Sequence, residues 1–279
     1  RGYKRHAKKN EVVVLLDQKS RAWHKAGDEP YMISEVLSEY KVPVVVSEDR
    51  YSACCTALRK FRSQIVLLDD GLQHHRLKRN TNVVLLDARM KSEDWHLLPL
   101  GNLREPISGL KRAELVLITH SNQADARKLE DIKDKVREIN DEIEILEAEH
   151  EPTFYFDIFT SKKIPIKEIK GDVAVFSAIG EPESFEQTLK DLDLNLKQVW
   201  RFPDHQEYTE NNLRSLLEIR KDLPLITTYK DFVKFPPHWR EILQEKVYIL
   251  FVDLKVRGGK SEESTFMDTI YPGYSKIRI

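Results

Sequence analysis

Cysteine is almost missing from this chain. Cys54 and Cys55 are the only two in 279 residues, and they are adjacent. Neighbours cannot close an ordinary structural disulfide, and no C-x-x-C spacing exists for a metal. They read as core thiols of a reducing compartment. Long apolar runs are missing as well: nothing approaches the roughly 20 residues of a membrane span, and no secretory signal pattern is present. Neither sign of charge dominates, since 45 basic against 46 acidic residues leave a net charge of −1. That balance excludes bulk electrostatic attraction to nucleic acid. Internal repeats and low-complexity tracts are absent. So is a starting methionine: the chain opens at Arg1, with a strand pattern inside its first dozen residues, and reads as a piece cut at its N-terminus.

What is present is ordinary for a soluble globular protein, with 41% hydrophobic and 33% charged residues. The basic residues Arg1, Lys4, Arg5, Lys8 and Lys9 cluster at the start, as a solvated edge or tail does. Near-continuous apolar runs predict buried strands at Val12–Leu16, Val42–Val46, Ile65–Leu68, Val83–Leu86 and Leu115–Thr119. Helical patterns at Tyr31–Tyr40, Ser52–Phe61 and Ala124–Asn140 lie between them. Such alternation implies a parallel sheet with helices on both faces. Thr153–Ile166 reads as an extended connector or a pair of edge strands.

A second series follows. Strands are predicted at Val173–Ser177, Gln198–Phe202, Pro224–Thr228 and Val247–Val252, with helices at Pro182–Asp191, Glu210–Leu223 and Pro237–Glu245. The expected layout is therefore a core over 1–152, a linker over 153–166 and a smaller α/β domain over 167–256. A tail over 257–279 turns apolar again at Phe266–Tyr271 and is expected to pack back on the core.

The chemistry concentrates at strand ends. Ile65–His75 is an apolar run ending in Asp69 and Asp70, which places carboxylates where open α/β sheets bind ligands. In phosphotransferases an acid at that place serves Mg²⁺ beside nucleotide phosphates; the plainer reading is turn chemistry. Gln73, His74 and His75 crowd the same loop. Asp28 and Glu29 precede a helix with Pro30 in its first turn, which suits a helix N-terminus and equally a carboxylate base. Leu97–Pro106 is a rigid loop carrying Asn102, Arg104 and Glu105. There Arg104 and Glu105 read either as phosphate and metal partners or as a surface ion pair. In Arg201–Thr209, Asp204 beside His205 has the makings of an oriented imidazole, though such pairs are often structural. Lys230, Asp231 and Lys234 follow another strand.

Seven of these segments, in order, resemble motifs of the tetraacyldisaccharide (lipid A) 4′-kinases. They are Arg1-Gly-Tyr-Lys, Gly27-Asp-Glu-Pro30, Asp69-Asp-Gly-Leu-Gln-His74, Leu103-Arg-Glu-Pro106, Ser177-Ala-Ile-Gly-x-Pro182, Phe202-Pro-Asp-His205 and Thr228-x-Lys-Asp231. Each is weak alone, but the ordered series is specific and spans about residues 1–235. The resemblance implies an α/β, P-loop NTPase-like, mostly parallel sheet with flanking helices, plus a second, smaller α/β domain. It implies transfer of the ATP γ-phosphate to the 4′-hydroxyl of a tetraacyldisaccharide 1-phosphate, with Mg²⁺, at the cytoplasmic face of the bacterial inner membrane.

By motif position, Asp28 and His205 are the catalytic base dyad, one from each domain. Asp69, Asp70, Arg104 and Lys230 meet the nucleotide, and Asp70 and Glu105 meet the metal. Arg1, Tyr3, Glu29, Gln73, His74 and Asn102 meet the lipid substrate. The expected partners are that acylated lipid and, peripherally, the membrane surface; nucleic acid is not one. This chain departs from the family in having Gln206 where many relatives have a second histidine. It also carries no G-x-x-x-x-G-K-[ST] phosphate loop, so the chain as given is expected to be inactive. Two other readings fit the residues: a P-loop kinase with another small acceptor, and a non-catalytic nucleotide- or glycolipid-binding relative.

Overall fold

The computed structural model describes residues 11–16 and 23–271. The first elements are β1 (Val13–Leu15), α1 (Trp23–Ala26), α2 (Asp28–Val36), β2 (Val44–Val46) and α3 (Arg50–Phe61). Next come β3 (Val83–Asp87), β4 (Leu115–Thr119), α4 (Ala126–Arg137), β5 (Glu144–Asp157) and β6 (Lys162–Pro165). The second series holds β7 (Gly171–Ser177), α5 (Pro182–Asp191), β8 (Leu194–Arg201), α6 (Glu210–Arg220) and β9 (Leu225–Thr227). It closes with α7 (Tyr229–Phe232), α8 (Trp239–Leu243), β10 (Val247–Val256) and α9 (Lys260–Ile270).

These elements divide into two compact units. One comprises residues up to Leu67 together with Pro152–Val252; the other comprises Leu68–Glu151 with Asp253 onward. The domain layout expected from sequence differs here, because the segment up to Leu67 clusters with the later series rather than with β3 and β4.

In the first unit, β7 lies between β8 and β9, parallel to both, and β9 pairs in parallel with β10. The end of β5 forms an antiparallel pair with β6, from Phe154↔Pro165 to Asp157↔Lys162. That is the edge-strand alternative for 153–166. β1 and β2 form a separate two-stranded antiparallel pair, Val13↔Val46 to Leu15↔Val44, and not members of a parallel sheet as expected. The core beneath β7 is aromatic. Phe176, fully buried, touches Phe202, Tyr208 and Phe235, while Leu213 and Leu216 of α6 and Ile242 of α8 fill the remaining space. Each such side chain contributes about 1.5–3 kcal/mol on full burial. Helix α6 starts where it does because the Thr209 hydroxyl accepts from Asn212 N–H and the Asn212 side chain accepts from Thr209 N–H, a reciprocal cap.

In the second unit, β3, β4 and the start of β5 are parallel, with Val83↔Leu115 and Leu115↔Glu144. β4 is buried along its whole length, as its unbroken apolar run requires. Helix α4 is capped by Asp125 and presents Leu129, Ile132 and Val136 at three- and four-residue spacing to Val116 and Ile118. Val256 and Phe266, from the end of the chain, pack against Leu115, Leu117 and Leu146. Phe266 belongs to helix α9.

Two local expectations fail for physical reasons. Ile65–Leu68 is not a strand: it has no ladder partner among the described residues, and Ile65, Val66 and Leu67 stay exposed. An apolar run supplies the pattern of a strand but not the neighbour that satisfies its backbone. Cys54 and Cys55 are half-buried on α3, not core thiols; Ala53 and Ala57 take the buried positions of that helix.

Candidate active site

In the first unit, the carboxyl ends of β7, β8 and β9 carry the loops that matter, as expected for parallel strands. Gly27, at φ 100°, allows the chain to turn into α2. Asp28 is thereby placed at the first helical position, where its Oδ1 accepts the Glu29 N–H at 3.0 Å. The residue is only 4% exposed. After β8, the Phe202–His205 loop brings His205 to it, and His205 Nδ1 lies 2.8 Å from Asp28 Oδ2. His205 holds a left-handed backbone at φ 60°, unusual for a residue with a side chain. Its N–H donates to Asp204 Oδ1 at 2.9 Å, and its Nε2 lies 3.7 Å from Asp204 Oδ2.

Lys230 from α7 completes the group, with Nζ 3.3 Å from Glu29 Oε1 and 3.4 Å from Asp204 Oδ1. Burial opposes its charge, but Glu29, Asp204 and Asp28 outweigh that and raise its pKa above the ordinary lysine value. Sequence reasoning assigned Asp28 and His205 to different domains, so that closure would join them. The structure corrects this: both belong to one compact unit and are already paired within it.

The second unit holds a cavity of about 610 Å³. Its walls include Val84, Leu86, Trp95 and Leu110, and Asp69, Asp70, Gln73, Asn102, Arg104 and Glu105 also line it. The Asp69–His75 loop is laced by Arg79, whose guanidinium donates to the carbonyls of His74 at 2.6 Å and Leu77 at 3.0 Å. Asp70 has a left-handed φ of 49°. Gly71 is required by close approach: a Cβ there would lie 2.9 Å from Leu68 Cβ. His74 does not line the cavity, and its buried Nε2 has no hydrogen-bond partner among the described residues. Asn102 donates its side-chain amide to Asp94 Oδ1 at 2.7 Å.

Arg104 and Glu105 are not paired with each other. Arg104 Nη1 lies 3.5 Å from Asp70 Oδ2, while Glu105 Oε2 accepts from Arg112 Nη2 at 2.7 Å. Glu105 Oε1 is buried and has no hydrogen-bond partner among the described residues. No group of three His, Cys, Asp or Glu side chains among those residues is arranged to hold a metal alone. Mg²⁺ characteristically takes one or two carboxylates together with phosphate oxygens and water, so Asp70 and Glu105 fit that ion.

A third polar group escaped sequence reasoning. Asp87 ends β3, with Arg89 Nη2 at 2.6 Å and His120 Nδ1 at 3.3 Å from its Oδ2. The His120 and His150 rings stack at 4.1 Å. Burial alone would raise the Asp87 pKa, but His120 and Arg89 overcome it and hold the carboxyl well below the usual range. Burial, with His120 and Arg89 nearby, pushes the His150 imidazole down. The rule that singled out Asp69 and Asp70, a polar residue after an apolar run, also marks Asp87 and His120. His150 had no such signal, because β5 is too mixed in composition to read as a strand. Arg1 and Tyr3 lie outside the described residues.

An α/β chain with a buried carboxylate–imidazole pair, and an acidic and guanidinium-bearing cavity, suits the phosphotransferase class. The comparisons with known proteins narrow it. A family model described as tetraacyldisaccharide-1-P 4'-kinase matches residues 1–271. The chain is 54% identical over 280 aligned positions to the tetraacyldisaccharide 4'-kinase of Elusimicrobium minutum, covering all of this chain and 75% of that one. It is 30% identical to the enzyme of the same name from Halothermothrix orenii, over 92% of this chain and 71% of that one. The crystal structure of LpxK from Aquifex aeolicus in complex with ATP superimposes with a TM-score of 0.69 and 28% identity, covering 97% of this chain and 78% of that one. The chain belongs to the tetraacyldisaccharide 4'-kinase family.

Proposed function

We propose that the protein transfers the γ-phosphate of ATP to the 4′-hydroxyl of an acylated disaccharide 1-phosphate, the lipid A biosynthetic step for which its relatives are named. The observation that carries the reading is the 2.8 Å contact between His205 Nδ1 and Asp28 Oδ2. A sugar hydroxyl is a weak nucleophile, so the reaction needs positioning, charge neutralisation and somewhere for its proton to go. With the Nδ1 proton directed at Asp28, His205 Nε2 is the nitrogen that accepts the hydroxyl proton, and the Asp28 carboxylate stabilises the imidazolium that forms. The hydroxyl oxygen bonds to the γ-phosphorus, the bond to the β-phosphate oxygen breaks, and ADP leaves.

Glu29 and Asp204 hold the Lys230 ammonium beside the dyad, where it compensates three carboxylates. Asp69, Asp70 and Arg104 serve the nucleotide, with Asp70 and Glu105 as the carboxylates for Mg²⁺. When bound, the ion supplies neutralisation of phosphate charge. Gln73, His74, Asn102 and Glu29, with Arg1 and Tyr3, serve the lipid substrate. No helix among the described residues is long and apolar enough to cross a membrane; the acylated acceptor places the enzyme peripherally on the cytoplasmic face of the inner membrane.

The test supplies the protein, in the length its host makes it, with γ-labelled ATP and the acylated disaccharide 1-phosphate. Label in the lipid, lost in the His205→Ala variant while ATP still binds, supports the reading. Transfer to unacylated sugars with equal kcat/KM points to a different acceptor. Saturable binding with no transfer means a non-catalytic relative.

A further inference from the structure

Asp231 and Lys234 are both fully buried in their side chains and face each other at 3.2 Å. A buried ion pair is a poor source of stability, since desolvation offsets most of the attraction, so its partners are informative. Asp231 Oδ1 accepts the Ala178 N–H at 3.1 Å and the Tyr208 hydroxyl at 3.0 Å. Asp231 Oδ2 accepts from the Thr228 hydroxyl at 2.7 Å. Lys234 Nζ, in turn, donates to the Ala178 carbonyl at 3.5 Å. The pair therefore grips Ala178 by both its N–H and its C=O. Burial, and Asp231 beside it, push the Tyr208 hydroxyl well above the ordinary tyrosine range and keep it a donor.

Ala178 and Tyr208 are the two ends from which His205 hangs. The His205 N–H, shared with Asp204 Oδ1 at 2.9 Å, also reaches the same Ala178 carbonyl at 3.4 Å, and Phe202 N–H donates to Ser177 O at 2.8 Å. Tyr208 lies three residues beyond His205 and is tied to Asp231 directly. Lys230 is the residue before Asp231, so one short helix orients both the ammonium and the clamp. The left-handed backbone of His205 needs such constraint to persist.

We infer that Asp231, with Lys234 and Tyr208, is a positioning device that holds the His205 imidazole against Asp28. None of the three touches the reacting atoms. This rests on the dyad reading above, and its test is separable from that reading. The clamp acts on the His205–Asp28 contact, which the chemical shift of the hydrogen-bonded His205 Nδ1 proton reports by NMR whether or not phosphate is transferred.

In the protein, in the length its host makes it, Asp231→Ala/Lys234→Met removes the clamp without changing net charge. The downfield NMR resonance of the His205 Nδ1 proton, hydrogen-bonded to Asp28, is expected to be lost or to move upfield as that contact loosens. We expect kcat to fall ~10–100-fold with KM for ATP nearly unchanged. Asp231→Asn/Lys234→Met, which restores the acceptor oxygen, is expected to recover most of both. If the first variant does not fold, Tyr208→Phe decides, with a smaller upfield shift of the His205 Nδ1 proton expected. Folded variants with an unmoved His205 Nδ1 proton resonance overturn the inference, whatever their melting temperatures. Failure of the dyad reading looks different: His205→Ala keeps its kcat while the clamp variants still move the Nδ1 proton resonance.

Discussion

His205 Nδ1 and Asp28 Oδ2 are 2.8 Å apart across 177 positions of sequence. The carboxylate is buried and already accepts a backbone N–H from Glu29, so it cannot swing away. The imidazole, more exposed, is the member of the pair placed to meet a substrate. Since the two act as one unit, Asp28→Asn and His205→Ala should each lower kcat ~10²–10³-fold, and the double variant should be little worse than the more damaging single one. Steady-state kinetics of all three decide it. Losses that multiply would mean independent roles.

Lys230 lies among Asp28, Glu29 and Asp204, and its pKa is raised. A cation with a raised folded pKa contributes stability that is complete below its unfolded value of about 10.4 and is lost as pH rises through the folded value. Lys230→Met should therefore lower the melting temperature throughout the neutral range, and the gap to the parent should shrink only above about pH 10. Melting curves between pH 6 and 11 check it.

The Asp87 carboxyl, held below its usual range beside Arg89 and His120, has the opposite sign. Its contribution is present above the unfolded pKa of about 3.9 and is lost as pH falls towards the folded value. Asp87→Asn should be less stable than the parent at pH 7, with the difference fading below about pH 4. His150, pushed down, favours the folded state only while neutral. His150→Gln should flatten the loss of stability that begins below about pH 6.5. Denaturant titrations at several pH values check both.

Glu105 offers one buried oxygen without a hydrogen-bond partner among the described residues and commits the other to Arg112. Replacement by Gln keeps the shape and removes the charge. The Mg²⁺ concentration for half-maximal phosphate transfer should rise ~10-fold or more, with the folded state retained. A magnesium titration unchanged from the parent would remove Glu105 from the metal site.

Much of this was legible because local chemistry announces itself. The helix Pro182–Asp191 starts at a proline suited to a first turn, and its ends agree with the sequence reading. The apolar runs at 115–119 and 173–177 became strands because only a sheet buries them on both faces. Asp28 and His205 were legible as single residues. Ile65–Leu68 misled, since its pattern lacked a neighbour, and the start of β5 was invisible, since charged residues alternate through it.

The sequence by itself determined the alternation of elements, the polar residues at strand ends and the family motif order, all of which depend on residues a few positions apart. Only the tertiary structure decided that Asp28 and His205 share one unit, that Arg104 answers Asp70 while Glu105 answers Arg112, and that Asp231 and Lys234 clasp Ala178. Those pairings join side chains from separate loops, and which loops meet is set by the packing of buried strands and helices, a property of the whole chain that no local pattern encodes.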